Sequence, residues 1–327
     1  MTQVKVGIEQ PFPRGKTRRL RSAHKKILAQ RQRTLSNNQQ RVAVRQTRKN
    51  WLDLYYWQRA QVVVLKNLKL FKLMLRVTED RYRSGRAMQH EVIRAQLEID
   101  LLDDRLIKIK TQQKKYTAHL ARWIGPANAS RPLAGKLPRK INFAQLPQLL
   151  LKLESHPLLN SDKDSIEARR KMVEIARQSH KPKFSLYASY GQRDERADLS
   201  SAGIKMDIPI FRTQRNKKNV IASENKLSAA MLARNVRYLK LRDSLSSQFS
   251  IWKLLSKRYM RYRKIIVPKA EINSTTTMYS YQNKRLEFST LVKARTIELN
   301  VKLKVLRLKV DLKKSESELL YLTGEGI

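Results

Sequence analysis

Residues 4–12 alternate. Val4, Val6 and Ile8 fall on one side and Lys5, Gly7 and Glu9 on the other, the period of a strand, which Pro11 and Pro13 close. From about Lys16 to Arg81 neither Pro nor Gly occurs, and the segment is rich in Leu, Arg, Lys, Gln and Ala. These are good helix formers. A continuous helix of this length would reach about 100 Å at 1.5 Å per residue. Ser84-Gly85 predicts a tight turn, and a return helix follows over 87–124 until Gly125-Pro126 stops it. Residues 126–160 are Pro-rich and predict an irregular connection. A shorter amphipathic helix covers 161–180. Alternation then resumes: Phe184, Leu186, Ala188 and Tyr190 oppose Ser185, Tyr187 and Ser189, and Ile204, Met206, Ile208 and Ile210 share one face of a returning strand. The pair predicts a β-hairpin over 183–211. A second long helix spans 214–278, bent or broken at Pro268, and a last helix spans 287–323, ended by Gly324.

The second half restates the first. Tyr82 falls on Tyr281, Arg86 on Arg285, Ala95 on Ala294 and Gly125 on Gly324, all at an offset of 199. "GIEQPFP" at 7–13 falls on "GIKMDIP" at 203–209 at an offset of 196, three residues fewer, a difference the long helix can take up. Each copy is a strand, a very long helix, a turn, a return helix and a Gly stop, which predicts an internally duplicated, pseudo-symmetric chain. The organisation is therefore a first repeat over 1–125, a linker over 126–160 and a second repeat over 161–327. The final helix carries a heptad seam at Val301, Val305, Leu308, Leu312, Ser315, Leu319 and Leu322. Its counterpart is Leu102, Leu106, Ile109, Gln113, Tyr116, Leu120 and Trp123. The fold class is mainly α with a small β part: long antiparallel helical hairpins plus a few strands.

Charge complicates this picture. The chain of 327 residues holds 70 Lys and Arg against 27 Asp and Glu, a formal charge of +43. Such a balance fits a partner rich in phosphate. The charge is spread over nearly every segment, however, and no nucleic-acid-binding module is visible. A basic coiled-coil nucleic-acid-binding protein is therefore the alternative reading, and a cytosolic coiled-coil scaffold is a third that leaves the hairpin without a purpose. There is no Cys, which excludes disulfides and Cys-based zinc sites. No run of about 18 apolar residues predicts a membrane-crossing helix, and the first residues show no apolar secretory core. His24, His90, His119, His156 and His180 are scattered, and Asp100, Asp103 and Asp104 beside Arg105 and Lys108 predict i,i+4 pairs. No P-loop, nucleophile motif or dinucleotide turn occurs, so no enzyme activity, cofactor or metal is expected. Each strand has the length and alternation of a tilted membrane strand.

Taken together, "RYRSGRAMQHEVIRAQLEIDLLDDRL", "LARWIG", "ARQSHKPKFSLYASYG", "AGIKMDIPIF", "IIVPKAE" and "ELLYLTG", in this order and spacing, resemble the TolC-like outer-membrane efflux family over essentially the whole chain. The resemblance implies a homotrimer with a shared twelve-stranded barrel in outer-membrane lipid and a helical tunnel in the periplasm. It implies a passive exit duct for small molecules or ions. The duct would dock onto a periplasmic adaptor (membrane fusion) protein and an inner-membrane pump. In that family a signal peptide, a leading helix and a first strand precede the position of Val4; this sequence shows three strands in place of four, as expected of a fragment or an internal start. The family's helical turns often read Y-x-x-G; Tyr82 and Gly85 keep the pattern, whereas Tyr281 is followed by Lys284. Its tip narrows on acidic residues just beyond the turn. Here Glu91 keeps one acid, and Arg94, Thr290 and Lys293 stand where the rest of the run would be, so a constriction at these positions would be cationic. Phe12, Phe184, Tyr187, Tyr190 and Phe211 are the candidate membrane-interface aromatics.

Overall fold

The computed structural model describes residues 3–133, 135–139, 141–193, 197–209, 213–283 and 285–324. Three strands, β1 (Gln3–Phe12), β2 (Lys183–Arg193) and β3 (Leu199–Asp207), and eight α-helices make up the described chain. The helices are α1 (Thr17–Arg83), α2 (Gln89–Ile124), the single turn α3 (Pro126–Ala129), α4 (Leu146–Leu153), α5 (Pro157–Arg177), α6 (Thr213–Arg261), α7 (Val267–Gln282) and α8 (Phe288–Thr323). The chain divides into two compact units, Met1–Gln39 with Glu154–Arg242, and Gln40–Leu153 with Asp243–Ile327. Each unit draws on residues from both 1–125 and 161–327.

In the first unit the strands form one antiparallel sheet in the order β1-β2-β3. Although β2 and β3 are a hairpin, β1 joins from 171 residues upstream, pairing Gln3 with Arg193 and Phe12 with Phe184. β1 takes in Pro11, which a sheet edge tolerates because an edge strand has a row of N–H groups with no ladder partner. Where the strands meet the helices, the Arg14 guanidinium donates to Asp207 Oδ2 at 2.7 Å and to the Ser179 carbonyl at 2.8 Å. Asn216 Nδ2 donates to the same carbonyl at 3.1 Å. All three strand–helix junctions of the sheet are thus tied to one another. Gly15 sits here at φ +48, a conformation that favours glycine; a Cβ would also displace the flexible ends of Gln178 and Lys181. α5 is held to its neighbours by polar contacts: Thr34 Oγ1 donates to Asp164 Oδ2 at 3.3 Å, and Arg237 to Asp162 Oδ2 at 2.5 Å.

The second unit is a helical bundle. Its core joins Ala60, Val64, Leu68, Phe71 and Met74 of α1 to Leu102, Leu106 and Ile109 of α2 and to Leu291, Leu299 and Leu303 of α8. The α1 positions step by four and three, one face of a helix. The heptad seam of α8 buries Leu308, Leu312, Ser315, Leu319 and Leu322. Its α2 counterpart buries Leu102, Leu106, Ile109 and Leu120, while Gln113 there turns its amide to Trp57 O at 3.2 Å and Gln61 Oε1 at 2.9 Å. Pro268 does not break the second long helix. The backbone widens into a π turn over Tyr262–Ile266 and re-enters α-geometry with Pro268 in the first turn of α7. A π turn is one of the few ways a helix accommodates a residue with no N–H and a ring that crowds the preceding carbonyls.

Three carboxylates of this unit are drawn inward. Asp53, 4% exposed, accepts from Arg307 at 3.2 Å and from Lys314 at 2.7 Å, tying α1 to α8. Glu318 accepts from Arg45 at 2.8 Å and also pairs with Lys49. Glu298 is held between Arg295 at 3.1 Å and Lys302 at 2.6 Å. Each of these acids meets two cations, although Arg307 also pairs with Asp311 and Lys302 with Glu271, both at 3.0 Å. Arg105 donates to Asn300 Oδ1 at 3.2 Å through both terminal nitrogens, a link from α2 to α8 in place of the i,i+4 pairing expected from sequence.

Candidate functional site

The sheet separates its side chains by chemistry. Register places Val4 beside Gln192, Val6 beside Tyr190, Ile8 beside Ala188, Gln10 beside Leu186 and Phe12 beside Phe184, all on one face. Across β2 the same face continues through Ala202, Ile204 and Met206. Ile8 is 78% exposed, Ile204 72% and Val6 69%. Lys5, Gly7, Glu9, Ser185, Ser189, Tyr187, Ser201 and Lys205 occupy the opposite face. There Ser189 and Ser201 share a hydroxyl hydrogen bond of 2.8 Å. A sheet in water buries its apolar face against a core. Here the apolar face is left uncovered, as is most of the polar face, and among the described residues no core packs on either; an uncovered apolar face backed by a polar one is the pattern of a membrane barrel.

Three of the expected interface aromatics lie on the apolar face. Phe12 and Phe184 form a cross-strand pair at one end and Tyr190 stands six residues further along β2, about 20 Å away at 3.3 Å per residue. That span is close to the height of an apolar band between aromatic girdles. Tyr187 lies on the polar face, where its ring covers Gly203; a Cβ on Gly203 would sit 2.7 Å from the phenolic oxygen. Phe211 lies outside the described residues. β1 and β3 each leave one edge without a strand partner among the described residues.

The turns between long helices hold the other candidates. Gly85 has φ +69 and accepts no constraint from packing, its requirement being conformational. Tyr82 is 46% exposed, whereas its sequence counterpart Tyr281 is buried, packed on Phe288 with the Arg81 guanidinium 4.6 Å from its ring centroid. Arg81 also donates to the Arg86 carbonyl, so the two turns are neighbours. Glu91 and Arg94 lie in the first turns of α2, and Thr290 and Lys293 in the first turns of α8. Arg94, Thr290 and Lys293 are exposed, and Glu91 is half-buried. Lys284 lies outside the described residues. Further along α8, burial opposes the charge on Glu298, but Lys302 and Arg295 outweigh it and hold its carboxyl below the usual range. Burial likewise opposes the Lys302 charge, and Glu298 and Glu271 overcome it to raise the ammonium above its usual value.

Exposed apolar side chains also line the helices. Ile93, Leu97 and Leu101 form a stripe on α2, each more than half exposed, and Val62, Leu65, Leu73 and Val77 another on α1. Among the described residues no helix is long and apolar enough to cross a membrane, and no three His, Asp or Glu side chains gather as a metal site would require.

No protein-family model matches this sequence, and no curated protein matches it. Solved structures do. The outer membrane protein VceC of Vibrio cholerae superposes with a TM-score of 0.81 at 16% identity, covering 99% of this chain and 80% of that one. The CmeC outer membrane channel of Campylobacter jejuni gives 0.84 at 12% identity, over 98% and 71%. The open state of the MtrE outer membrane channel of Neisseria gonorrhoeae gives 0.78 at 14%, over 99% and 80%.

The chain has the fold of outer-membrane channels.

At these identities the likeness is one of backbone architecture, and it agrees with the TolC-like resemblance carried by the motifs. Sequence reasoning identified the strands and turns of this architecture and put Tyr187 opposite Phe184 and Tyr190, yet it grouped Tyr187 with the interface aromatics, and it did not find the burial that separates Tyr281 from Tyr82.

Proposed function

We propose that this protein is the outer-membrane exit duct of a tripartite efflux or secretion system. In this reading it is a passive conduit through which small molecules or ions leave a Gram-negative cell. The observation that carries it is the sheet: an exposed apolar face, a polar face and two open edges on strands of nine to eleven residues. Backbone groups in lipid must all be paired, so membrane strands close into barrels. Three strands are too few to close, because the smallest single-chain barrels have eight. Several copies must therefore share one barrel, and three is the number we assign. β1 and β3 run parallel to each other, both being antiparallel to β2. A twelve-stranded antiparallel barrel from three copies takes a fourth strand per copy at the seam between those edges. The exposed stripes on α1 and α2 fit helix contacts between copies in a tunnel wall, since apolar rows of this kind are otherwise left in water.

The polar face then lines the pore and the apolar face meets lipid, with Phe12, Phe184 and Tyr190 at its borders. The helical part stands in the periplasm. Its helix-turn ends, which carry Tyr82, Gly85, Tyr281 and their neighbours, meet a periplasmic adaptor protein coupled to an inner-membrane pump. Arg94 and Lys293 make this end cationic, so small anions pass more readily than cations. A conduit of this kind has no reaction to catalyse. The nucleic-acid alternative leaves an exposed apolar sheet unexplained.

The native absence of Cys makes the test clean. Single cysteines at Val4, Val6 and Ile8 and at Lys5, Gly7 and Glu9, in proteoliposomes, are exposed to a membrane-impermeant maleimide. The second set labels and the first does not. Equal labelling of both sets removes the barrel.

A further inference from the structure

The second compact unit contains a cavity of about 370 Å³ walled by Trp51, Leu52, Leu120, Ile124, Ile141 and Leu320. These side chains come from α1, α2, the connection before α4, and α8, and all belong to that unit. Two buried polar side chains line the same space. Glu316 is 2% exposed; its Oε2 accepts from Lys313 Nζ at 2.7 Å, while its Oε1 has no hydrogen-bond partner. Ser317, 4% exposed, has a hydroxyl that also lacks a partner. An unmet carboxylate oxygen in an apolar site is costly, and buried polar groups are as a rule paired. A cavity of this size with an apolar wall and a few converging polar groups is the usual form of a small-molecule site.

We infer that this cavity binds a small, neutral, largely apolar molecule carrying one O–H or N–H donor, which the free Oε1 of Glu316, itself sealed from solvent, accepts once the surrounding side chains part. The charge around the cavity selects a neutral ligand. Lys313 already balances Glu316, it is locked by a second bond to the Arg139 carbonyl at 2.8 Å, and Arg48 stands in the wall. A cationic ligand would therefore meet a surplus of positive charge. An anionic group would face the carboxylate edge that lacks a donor. Trp51, stacked with Tyr55 at 5.6 Å, gives the wall a flat aromatic face, so an aromatic alcohol or phenol fits best. The Ser317 hydroxyl can donate to the oxygen of the same ligand group. This inference rests on one unit of the chain alone and stands whether or not the protein is a duct.

The test uses the full-length protein in detergent, with 4-(trifluoromethyl)phenol and its methyl ether as probes, followed by fluorine NMR against empty micelles. The two probes share shape and apolar body, and only the phenol has a donor. Wild type is expected to bind the phenol at least about tenfold more tightly than the ether, the usual consequence of a hydrogen bond to a charged group. In Glu316→Gln the amide oxygen stays with the Lys313 donor and the NH2, which cannot accept, takes the place of the free carboxylate oxygen, so the variant is expected to erase that preference. Leu320→Trp fills the cavity and is expected to abolish specific shifts for both probes. Because Glu316 is buried beside Lys313, the Leu320 variant keeps the test decisive if Glu316→Gln does not fold. Equal affinity for phenol and ether in wild type overturns the inference. So do shifts no larger than those in empty micelles, as a cavity holding water or a neighbouring copy would give, and so does unchanged binding by Leu320→Trp.

Discussion

Replacing Ile8 by Arg separates a sheet facing water from one facing lipid. Ile8 is the sixth of ten residues in β1, 78% exposed, on the apolar face between Val6 and Gln10 and opposite Ala188. If that face met water, the substitution would remove little contact and cost within about 0.5 kcal/mol, as exposed sites generally do. If it meets the hydrocarbon interior, an Arg near the midplane of a barrel strand costs about 2–4 kcal/mol. Three copies in one barrel would multiply this to roughly 6–12 kcal/mol for the assembly. Glu9→Arg, one residue along on the polar face, is the internal control and should stay near zero by the first argument. Both variants are folded into liposomes, and stability is read from denaturant titration and from heat-dependent mobility of the assembled species on gels. A loss of at least about 2 kcal/mol per copy for Ile8→Arg, with Glu9→Arg near wild type, is the expected outcome. Equal effects at the two positions, or a neutral Ile8→Arg in lipid, would refute the assignment of the faces.

Other perturbations address packing and charge. Asp53→Leu leaves Arg307 and Lys314 without their shared acid; both cations are partly exposed, so we expect a loss of about 1–3 kcal/mol in denaturant stability, and an unchanged midpoint would contradict the clamp. Gly203→Val drives a side chain into the Tyr187 ring and should cost about 1–3 kcal/mol, much of it recovered in the double variant with Tyr187→Ala; additive losses in the double-mutant cycle would show that the two do not touch. The Glu298–Lys302 pair sets a pH dependence. The lowered carboxyl of Glu298 contributes stability that is present above its unfolded value of about 4.5 and is lost as pH falls through its folded value. The raised ammonium of Lys302 contributes below about 10.5 and is lost as pH rises past its folded value. Glu298→Gln should therefore flatten the acid limb of the stability profile, and an acid limb as steep as wild type would remove Glu298 as its source. At the helix-turn end, Arg94→Glu with Lys293→Glu should turn an anion-preferring conductance toward cations, measured as a reversal potential under a salt gradient; an unmoved potential would take these residues out of the conduction path.

The elements were legible in the sequence where local chemistry sets them. Alternation marked β1 and the hairpin, the long stretch without Pro or Gly marked α1, and the heptad steps of α8 marked a buried seam that the structure fills with Leu308, Leu312 and Leu319. What stayed hidden depends on distant partners. Asp53 meets Lys314 across 261 residues, and Glu318 meets Arg45 across 273, so neither clamp leaves a local pattern. Pro268 announced a disturbance, but not that a π turn would absorb it and keep the helix running. Tyr82 and Tyr281 occupy matching places in the repeat, yet one is exposed and the other buried, because α8 supplies Phe288 against Tyr281. The cavity at Glu316 was invisible for the same reason: its wall is assembled from segments that approach only in the folded bundle.

The most direct measurement is of the assembled protein in a planar lipid bilayer, with its mass in lipid nanodiscs determined on the same preparation. Three copies per particle with discrete, ohmic single-channel steps is the predicted result. A stable monomer in detergent-free buffer that leaves the bilayer resistance unchanged would contradict the shared barrel and, with it, the exit duct.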